Sequence, residues 1–295
     1  MRETRMVRDF RAKLNRLYLL SRRLVEELLS GSYRSVFPGP GLEFSEVREY
    51  SLQDDFRTID WNVTARMGNP YTRLYREERE LVLFFVVDVS ASLFYHPSIH
   101  RRRELQQVLL AILSFCAIQN NDKVGAVFFS DRIERWIPPR KGKQHAFRLI
   151  NDLEGLEPEG KGSDLGRALK AVGGHLKKRA IVFVLSDFKT GGYVMELSLV
   201  ARKHDVIAVR LYENLDEEFA IQGYLRLQDP ETEEQIPGVG FSRSFRETYS
   251  EYRMFWRRIW IRECSRRGVD VLEVAVQEDP GIRLIQFFQR RRKFR

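Results

Sequence analysis

Cysteine is scarce in this 295-residue sequence: Cys116 and Cys264 are the only two, far apart and each inside a helical pattern. Two distant cysteines make neither a disulfide framework nor a zinc site, and they fit a reducing compartment. Long hydrophobic runs are missing as well. No stretch approaches the roughly 18 uninterrupted apolar residues of a membrane helix, so no transmembrane segment is expected. The first twenty residues scatter charges throughout and lack the apolar core and small-residue cleavage site of a secretion signal, so the expected compartment is the cytoplasm. The five histidines (His96, His100, His145, His175 and His204) show no zinc spacing. Neither an internal repeat nor a low-complexity segment is present.

What is there is a foldable chain. Its 43% hydrophobic residues are enough to bury a real core, which excludes bulk disorder. The net charge of +9 invites a nucleic-acid reading, but the surplus is local. It sits in residues 1–30, with eight Lys/Arg against four Asp/Glu, and in the terminal RRRKFR. Such ends can touch nucleic acid, anionic lipid or an acidic protein, or simply solubilise the chain. No RNP-type, zinc-finger or other nucleic-acid motif accompanies them, so no nucleic-acid partner is expected.

Three segments follow from the patterning: 1–79, 80–276 and 277–295. In the first, Leu14, Leu17, Tyr18, Val25, Leu28 and Leu29 predict a helix over 7–29, closed by Gly31. Residues 31–80 alternate short β-like pieces with charges and hold no helical face, which predicts a β-rich, hairpin-containing arm. From residue 81 strands alternate with helices. LVLFFVVD (81–88) and AIVFVLSD (180–187) are continuous apolar runs, as in parallel strands buried on both faces. KVGAVFFS (123–130), DVIAVRLYE (205–213) and VDVLEVAV (269–276) supply further strands, and IERWIP (133–138) an edge partner ended by Pro138 and Pro139. Helices are predicted near 101–120, 143–153, 164–178, 194–203 and 241–267, a hairpin over 223–236 turning at Asp229-Pro230, and a basic helix over 281–295. The expected fold class is α/β: a central, mostly parallel sheet flanked by helices.

In such sheets ligands bind at the carboxyl ends of the strands, where strand order reverses. The first buried strand ends in Asp88-Val89-Ser90-Ala91-Ser92 and a later one in Ser186-Asp187. Between them in sequence lies GKGSDLGRAL (160–169), with Ser163 at the expected N-cap of a helix. Carboxylates and hydroxyls without a nearby His or Cys suit a hard divalent cation such as Mg²⁺ or Mn²⁺. The bland reading is that both acids cap helices and the serines fill turns.

Asp88, Ser90, Ser92, Ser163 and Asp187 resemble the metal-ion-dependent adhesion site of von Willebrand factor A domains, which has D-x-S-x-S on one loop, Thr on a second and Asp on a third. Ser163 replaces the usual threonine and keeps the hydroxyl. A longer resemblance covers most of the chain. GLEFSEVREYSLQDDFRTIDWNVTAR (41–66), Glu78, DVSASL, HDVIAVRLYE (204–213) and LQDPETEE (227–234) are similar to the bacterial "domain of unknown function 58" family. Gln53 stands where that family usually has Gly, and Leu93 where it has Met. The resemblance implies a Rossmann-like von Willebrand A domain. It also implies a non-catalytic adaptor for a MoxR-type AAA+ ATPase or that ATPase's client, with an acidic partner residue completing the metal shell.

Within 41–66, Arg48, Arg57 and Arg66 alternate with Glu43, Glu46, Asp54, Asp55 and Asp60 around Phe56 and Trp61. Two readings stay open: a clasp of ion pairs, and a docking face anchored by Arg48, Arg57, Trp61 and Arg66. GLEPEGKG (155–162) nearly spells a P-loop, but Gly162 stands where the hydroxyl belongs and no buried strand precedes it. A phosphatase-like hydrolase with Asp88 as nucleophile would want a second acid two residues on, where Ser90 stands.

Overall fold

The structure, a computed structural model of the chain, describes residues 43–51, 54–76, 81–94, 99–213, 224–228, 235–239 and 243–294. They fall into two compact units divided between Glu80 and Leu81. The helix expected over 7–29 and the turn at Asp229-Pro230 lie outside the described residues.

The smaller unit is a hairpin with a short helix. Strands β1 (Glu43–Glu49) and β2 (Tyr71–Arg76) pair antiparallel, with a register shift between Phe44 and Glu46. Between them a 3₁₀ turn (Phe56–Thr58) leads into α1 (Trp61–Met67). No helix is expected there from apolar periodicity, yet both ends are capped. The Asp60 carboxylate accepts from the Asn62 and Val63 amides, and Gly68 takes the left-handed conformation, φ 81°, that ends a helix without a Cβ clash.

The larger unit is a six-stranded sheet. In chain order its strands are β3 (Val82–Asp88), β4 (Lys123–Phe129), β5 (Ile133–Arg140), β6 (Ile181–Ser186), β7 (Asp205–Tyr212) and β10 (Asp270–Ala275). In space they run β10-β7-β6-β3-β4-β5, all parallel except the edge strand β5. A separate antiparallel pair, β8 (Tyr224–Gln228) and β9 (Gln235–Val239), forms the hairpin expected from its sequence. Pro138 and Pro139 do not end β5. They lie inside it, which an edge strand tolerates because its outer side needs no ladder donors.

Every residue of β3 is buried because both faces of the sheet are covered. The short α2 (Ala91–Phe94) follows β3 in the chain, and Leu83, Phe85 and Val87 point into one core with α3 (Ile99–Gln119) and α4 (Lys143–Glu154). Val82, Phe84 and Val86 point into the other, with α5 (Leu165–His175), α6 (Val194–Lys203) and the end of α7 (Arg243–Arg266), where Cys264 is buried. Fully burying a side chain of Val, Leu or Phe size is worth about 1.5–3 kcal/mol, so a strand wetted on neither side is held firmly in register. Cys116 is likewise buried, and no disulfide joins it to Cys264.

The basic C-terminal segment is a helix, α8 (Pro280–Phe294), but not a separate tail. Leu284 and Phe288 are buried in the first core. Arg291 is buried as well, bonded to Asp205 and 3.0 Å from an Asp270 oxygen. An apolar and ionic stripe at i, i+4 and i+7 docks the helix on the edge of the sheet. The positive charge of the sequence masks that stripe.

Candidate functional site

The chain leaves β3 toward β4 on one side and returns to β6 on the other, so strand order reverses between β3 and β6. The carboxyl ends of these two strands flank the crevice that doubly wound sheets use for ligands. Asp88 is the last residue of β3, and Asp187 directly follows β6. Both side chains are buried.

Asp88 is heavily bonded. Its Oδ1 accepts the Ser90 amide at 3.0 Å. Its Oδ2 accepts the Ser163 hydroxyl at 3.0 Å and the Ser186 hydroxyl at 2.7 Å. Its carbonyl accepts Gln106 Nε2 from α3 at 2.7 Å. Even so, burial first and the Asp187 charge second push its carboxyl up to about 6, against the pull of the Ser90 and Ser186 bonds. Two carboxylates therefore sit close enough to repel in a site with little water to screen them.

Three loops converge here, braced by groups that are not candidate ligands. The first loop's Ala91 amide bonds the Lys161 carbonyl of the second at 2.9 Å. Thr190 of the third donates to the Ser163 carbonyl at 2.9 Å. The second loop is further held by Glu134 of β5, whose carboxylate accepts the Gly160 amide at 2.9 Å, the Glu159 amide at 3.3 Å and the Ser130 hydroxyl. Gly160 has no room for a side chain, since a Cβ there would overlap Ser130 and Asp131.

Ser163 is not the N-cap of α5. Asp164 takes that place, its Oδ1 accepting the Arg167 amide at 2.8 Å, and the Ser163 hydroxyl is thereby left to turn toward Asp88. Ser92 lies in α2, and its side chain is outside the described set. Ser186, Gln106, Glu134 and Thr190 are part of the arrangement but absent from the D-x-S-x-S reading. Ser186 hides inside an apolar strand, and the others act across long sequence separations.

Asp187 anchors a tight turn, with Oδ1 accepting the Lys189 amide at 3.1 Å. The next residue, Phe188, takes φ 55°, rare for an aromatic residue and worth about 1 kcal/mol or more in strain. Its ring packs on Trp260 (centroids 4.8 Å apart) and near Tyr193 (6.0 Å), which holds the strained turn in place. Asp187 Oδ2 is buried and accepts no hydrogen bond among the described residues, with Lys189 Nζ 3.7 Å away.

These residues fit a hard divalent cation. All candidate donors are carboxylate or hydroxyl oxygens, the two carboxylates repel one another with only the Lys189 ammonium, 3.7 Å from Asp187, as a nearby counter-charge, and one buried oxygen accepts no hydrogen bond among the described residues. Among the described residues no group of three or more His, Cys, Asp or Glu side chains is placed to hold a metal ion, so the serine hydroxyls would have to complete any set of ligands.

In the hairpin unit the charges are largely spent locally. Arg48 pairs with Asp54 at 2.6 Å, Asp55 caps the 3₁₀ turn, and Asp60 caps α1. Arg57 lies over the Phe56 ring. Trp61 is 69% exposed, and Phe56, Met67 and Arg66 are exposed as well.

Comparison with known proteins adds relatives without an assigned role. The chain is 27% identical over 285 residues to Uncharacterized protein Rv1480 of Mycobacterium tuberculosis and to Uncharacterized protein Mb1516 of Mycobacterium bovis; the match covers 96% of this chain and 90% of either relative. Among solved structures it is similar to the conserved hypothetical protein BatB of Bacteroides thetaiotaomicron (16% identity, TM-score 0.44, 72% of this chain and 99% of that one). An aerotolerance-related membrane protein of Bacteroides fragilis gives 15% identity and TM-score 0.45, over 73% of this chain and 100% of that one. Proximal thread matrix protein 1 of the mussel byssus, in a form with a zinc-occupied MIDAS motif, gives 19% identity and TM-score 0.36, over 45% and 38%. The family model described as "Protein of unknown function DUF58" matches residues 46–255, most of the chain, and the protein belongs to that family.

Proposed function

We propose that this protein is a divalent-cation-dependent protein-interaction module. Asp88, Ser90, Ser163 and Asp187, with Ser92 from the same first loop, would hold Mg²⁺ or Mn²⁺. Bound there, the cation offers a position that a carboxylate of another protein can fill. The observation that carries this reading is the pairing of two buried, repelling carboxylates at the switch point, one with an unbonded oxygen. Binding is favoured over hydrolysis because Ser90 stands where a phosphatase-like mechanism through Asp88 wants an acid. The partner we propose is a MoxR-type AAA+ ATPase or its client. Family resemblance supports that choice, and so does a near-P-loop at 155–162 that lacks the hydroxyl needed for the chain's own nucleotide.

The test is calorimetric titration of MgCl₂ and MnCl₂ into the EDTA-stripped full chain. Saturable binding lost in Asp88→Ala, with the melting transition retained, supports the site; equal binding by the variant counts against it. Affinity capture in Mg²⁺ and in EDTA then asks whether a partner depends on the metal.

A second docking face is proposed on the hairpin unit. Trp61, Arg57 and Arg66 are all exposed within this unit and are the side chains that would anchor a partner. Arg48 is already engaged by Asp54 and would serve the face by shaping it. Trp61→Ala should weaken partner capture without lowering stability.

A further inference from the structure

Beside the carboxylate site, a groove of about 470 Å³ opens between α7 and the loop that follows Asp187. Its wall on α7 is unusual. Residues 252–262 read YRMFWRRIWIR, with four arginines, no acid and three aromatic side chains besides Tyr252. Trp260 faces inward, where it packs on Phe188. One to two turns earlier, Tyr252, Phe255 and Trp256 are 57%, 58% and 49% exposed, and Trp256 makes edge-to-face contacts with both of the others. A helix that presents aromatics outward next to a concavity has not finished burying its apolar surface.

The polar part of the groove is cationic and partly rigid. Arg257 bonds Glu273 with two nitrogens, at 2.8 and 2.5 Å, and Arg210 reaches the same carboxylate at 2.8 Å. Two guanidinium groups thus share one carboxylate, and Lys189 and Arg253 line the groove beside them. The acids beside the groove are already met, Glu273 by two arginines, Asp187 by Lys189 at 3.7 Å and Glu263 by Arg266 and Arg267, so the positive surplus lies on α7, where residues 252–262 hold four arginines and no acid. Arginine and aromatic side chains around a pocket are the composition of interface hot spots.

We propose that this groove docks an acidic segment of a partner protein. An apolar side chain of the segment packs on Trp256 and Tyr252, and its carboxylates face Arg253. A protein segment is favoured over a membrane because the surface is concave. The inference rests on the interaction reading above for the partner being a protein, but its residues are separate from the metal donors except at Asp187.

The experiment is selection of a random 16-residue phage-displayed library on the full chain. Enriched peptides are then measured by fluorescence anisotropy against wild type, Trp256→Ala and Arg253→Glu, each in Mg²⁺ and in EDTA. Enrichment of acidic residues around an aromatic or aliphatic one, with binding weakened at least tenfold by either substitution, supports the groove. Peptides without acid enrichment, or indifferent to both substitutions, overturn it. Binding of phosphatidylserine vesicles or of oligothymidine that both variants abolish, without acid-rich peptides, overturns it in favour of a lipid or nucleic-acid surface. The two readings separate cleanly. Loss on Trp256→Ala but not in EDTA or Asp88→Ala supports the groove and counts against the metal site as the docking point; the reverse pattern supports the metal site and sinks the groove. Both substitutions fall on side chains that are not fully buried, and a melt of each variant matching wild type rules out unfolding as the cause.

Discussion

Replacing Asp88 by Asn should stabilise the cation-free protein at neutral pH, although it removes a candidate ligand. The Asp88 carboxyl is pushed up to about 6 from an ordinary value of 3.8. Below about pH 4 it is protonated in folded and unfolded chains alike, so it contributes no pH-dependent difference. Between 4 and 6 the folded chain holds a proton the unfolded chain has lost, so stability falls as pH rises. Above 6 the full cost is present. A shift of about two units corresponds to roughly 3 kcal/mol. Asn keeps one acceptor for the Ser90 amide but presents an amino group to Ser163 and Ser186, whose hydroxyls must turn to accept; we set about 1 kcal/mol against the gain for that. The net expectation is about 1–2 kcal/mol of stabilisation at pH 7.5 in EDTA, or roughly 2–8 °C in melting temperature for a unit of this size. At pH 4 the difference should vanish or change sign. Adding 10 mM MgCl₂ should raise the melting temperature of wild type only, because binding to the folded state alone stabilises it. Differential scanning fluorimetry across pH 4–8, with and without cation, measures all of this. A variant that melts below wild type by the same margin at pH 4 and 7.5 would refute the idea of a repelling carboxylate pair. So would equal stabilisation of both proteins by Mg²⁺.

Glu134→Ala should loosen the second loop and weaken Mn²⁺ binding by about 10–100-fold, as losing an outer-shell partner does, and Glu134→Gln should recover part of the loss; calorimetry reads both. Arg291→Met leaves Asp205 buried without its cation and should cost about 3–5 kcal/mol in urea unfolding, whereas Arg292→Met, at an exposed position, should cost almost nothing. Gly125→Ala places a Cβ 2.8–2.9 Å from backbone atoms of Ile137 and Pro139, so β5 must shift and stability should fall by about 1–3 kcal/mol or more. Equal unfolding midpoints for Gly125→Ala and wild type would show that the edge strand yields freely.

The sheet is legible in the sequence because burial on both faces leaves continuous apolar runs such as 82–87 and 181–185, whose ends mark the rim. Asp88 and Asp187 stand out for the same reason, as charges that terminate those runs. Less legible is whatever depends on contacts distant in sequence. Glu134 reaches Gly160 across 26 residues, and Gln106 reaches Asp88 across 18. Ser186 reads as one more strand residue until its hydroxyl is seen on Asp88. The helix at Trp61–Met67 has no apolar stripe to announce it, only its caps, Asp60 and Gly68. Charge misleads at the C-terminus, where RRRKFR reads as a solvated tail while Arg291 is drawn inside by two acids.

Those hidden contacts share a consequence. The Ala91, Thr190 and Glu134 bonds hold the three loops together through groups that are not candidate ligands. The loops therefore need no cation to keep them near one another, although the carboxylates they carry repel. Bracing from behind lets the rim hold two carboxylates that repel one another, with Lys189 offsetting only the Asp187 side. The energy stored in that pair can be released by a cation, and the braces keep the released energy from being spent on rearranging the fold. On this argument, cutting a brace and removing a carboxylate have opposite effects on cation-free stability, Glu134→Ala lowering it and Asp88→Asn raising it, while both weaken cation binding.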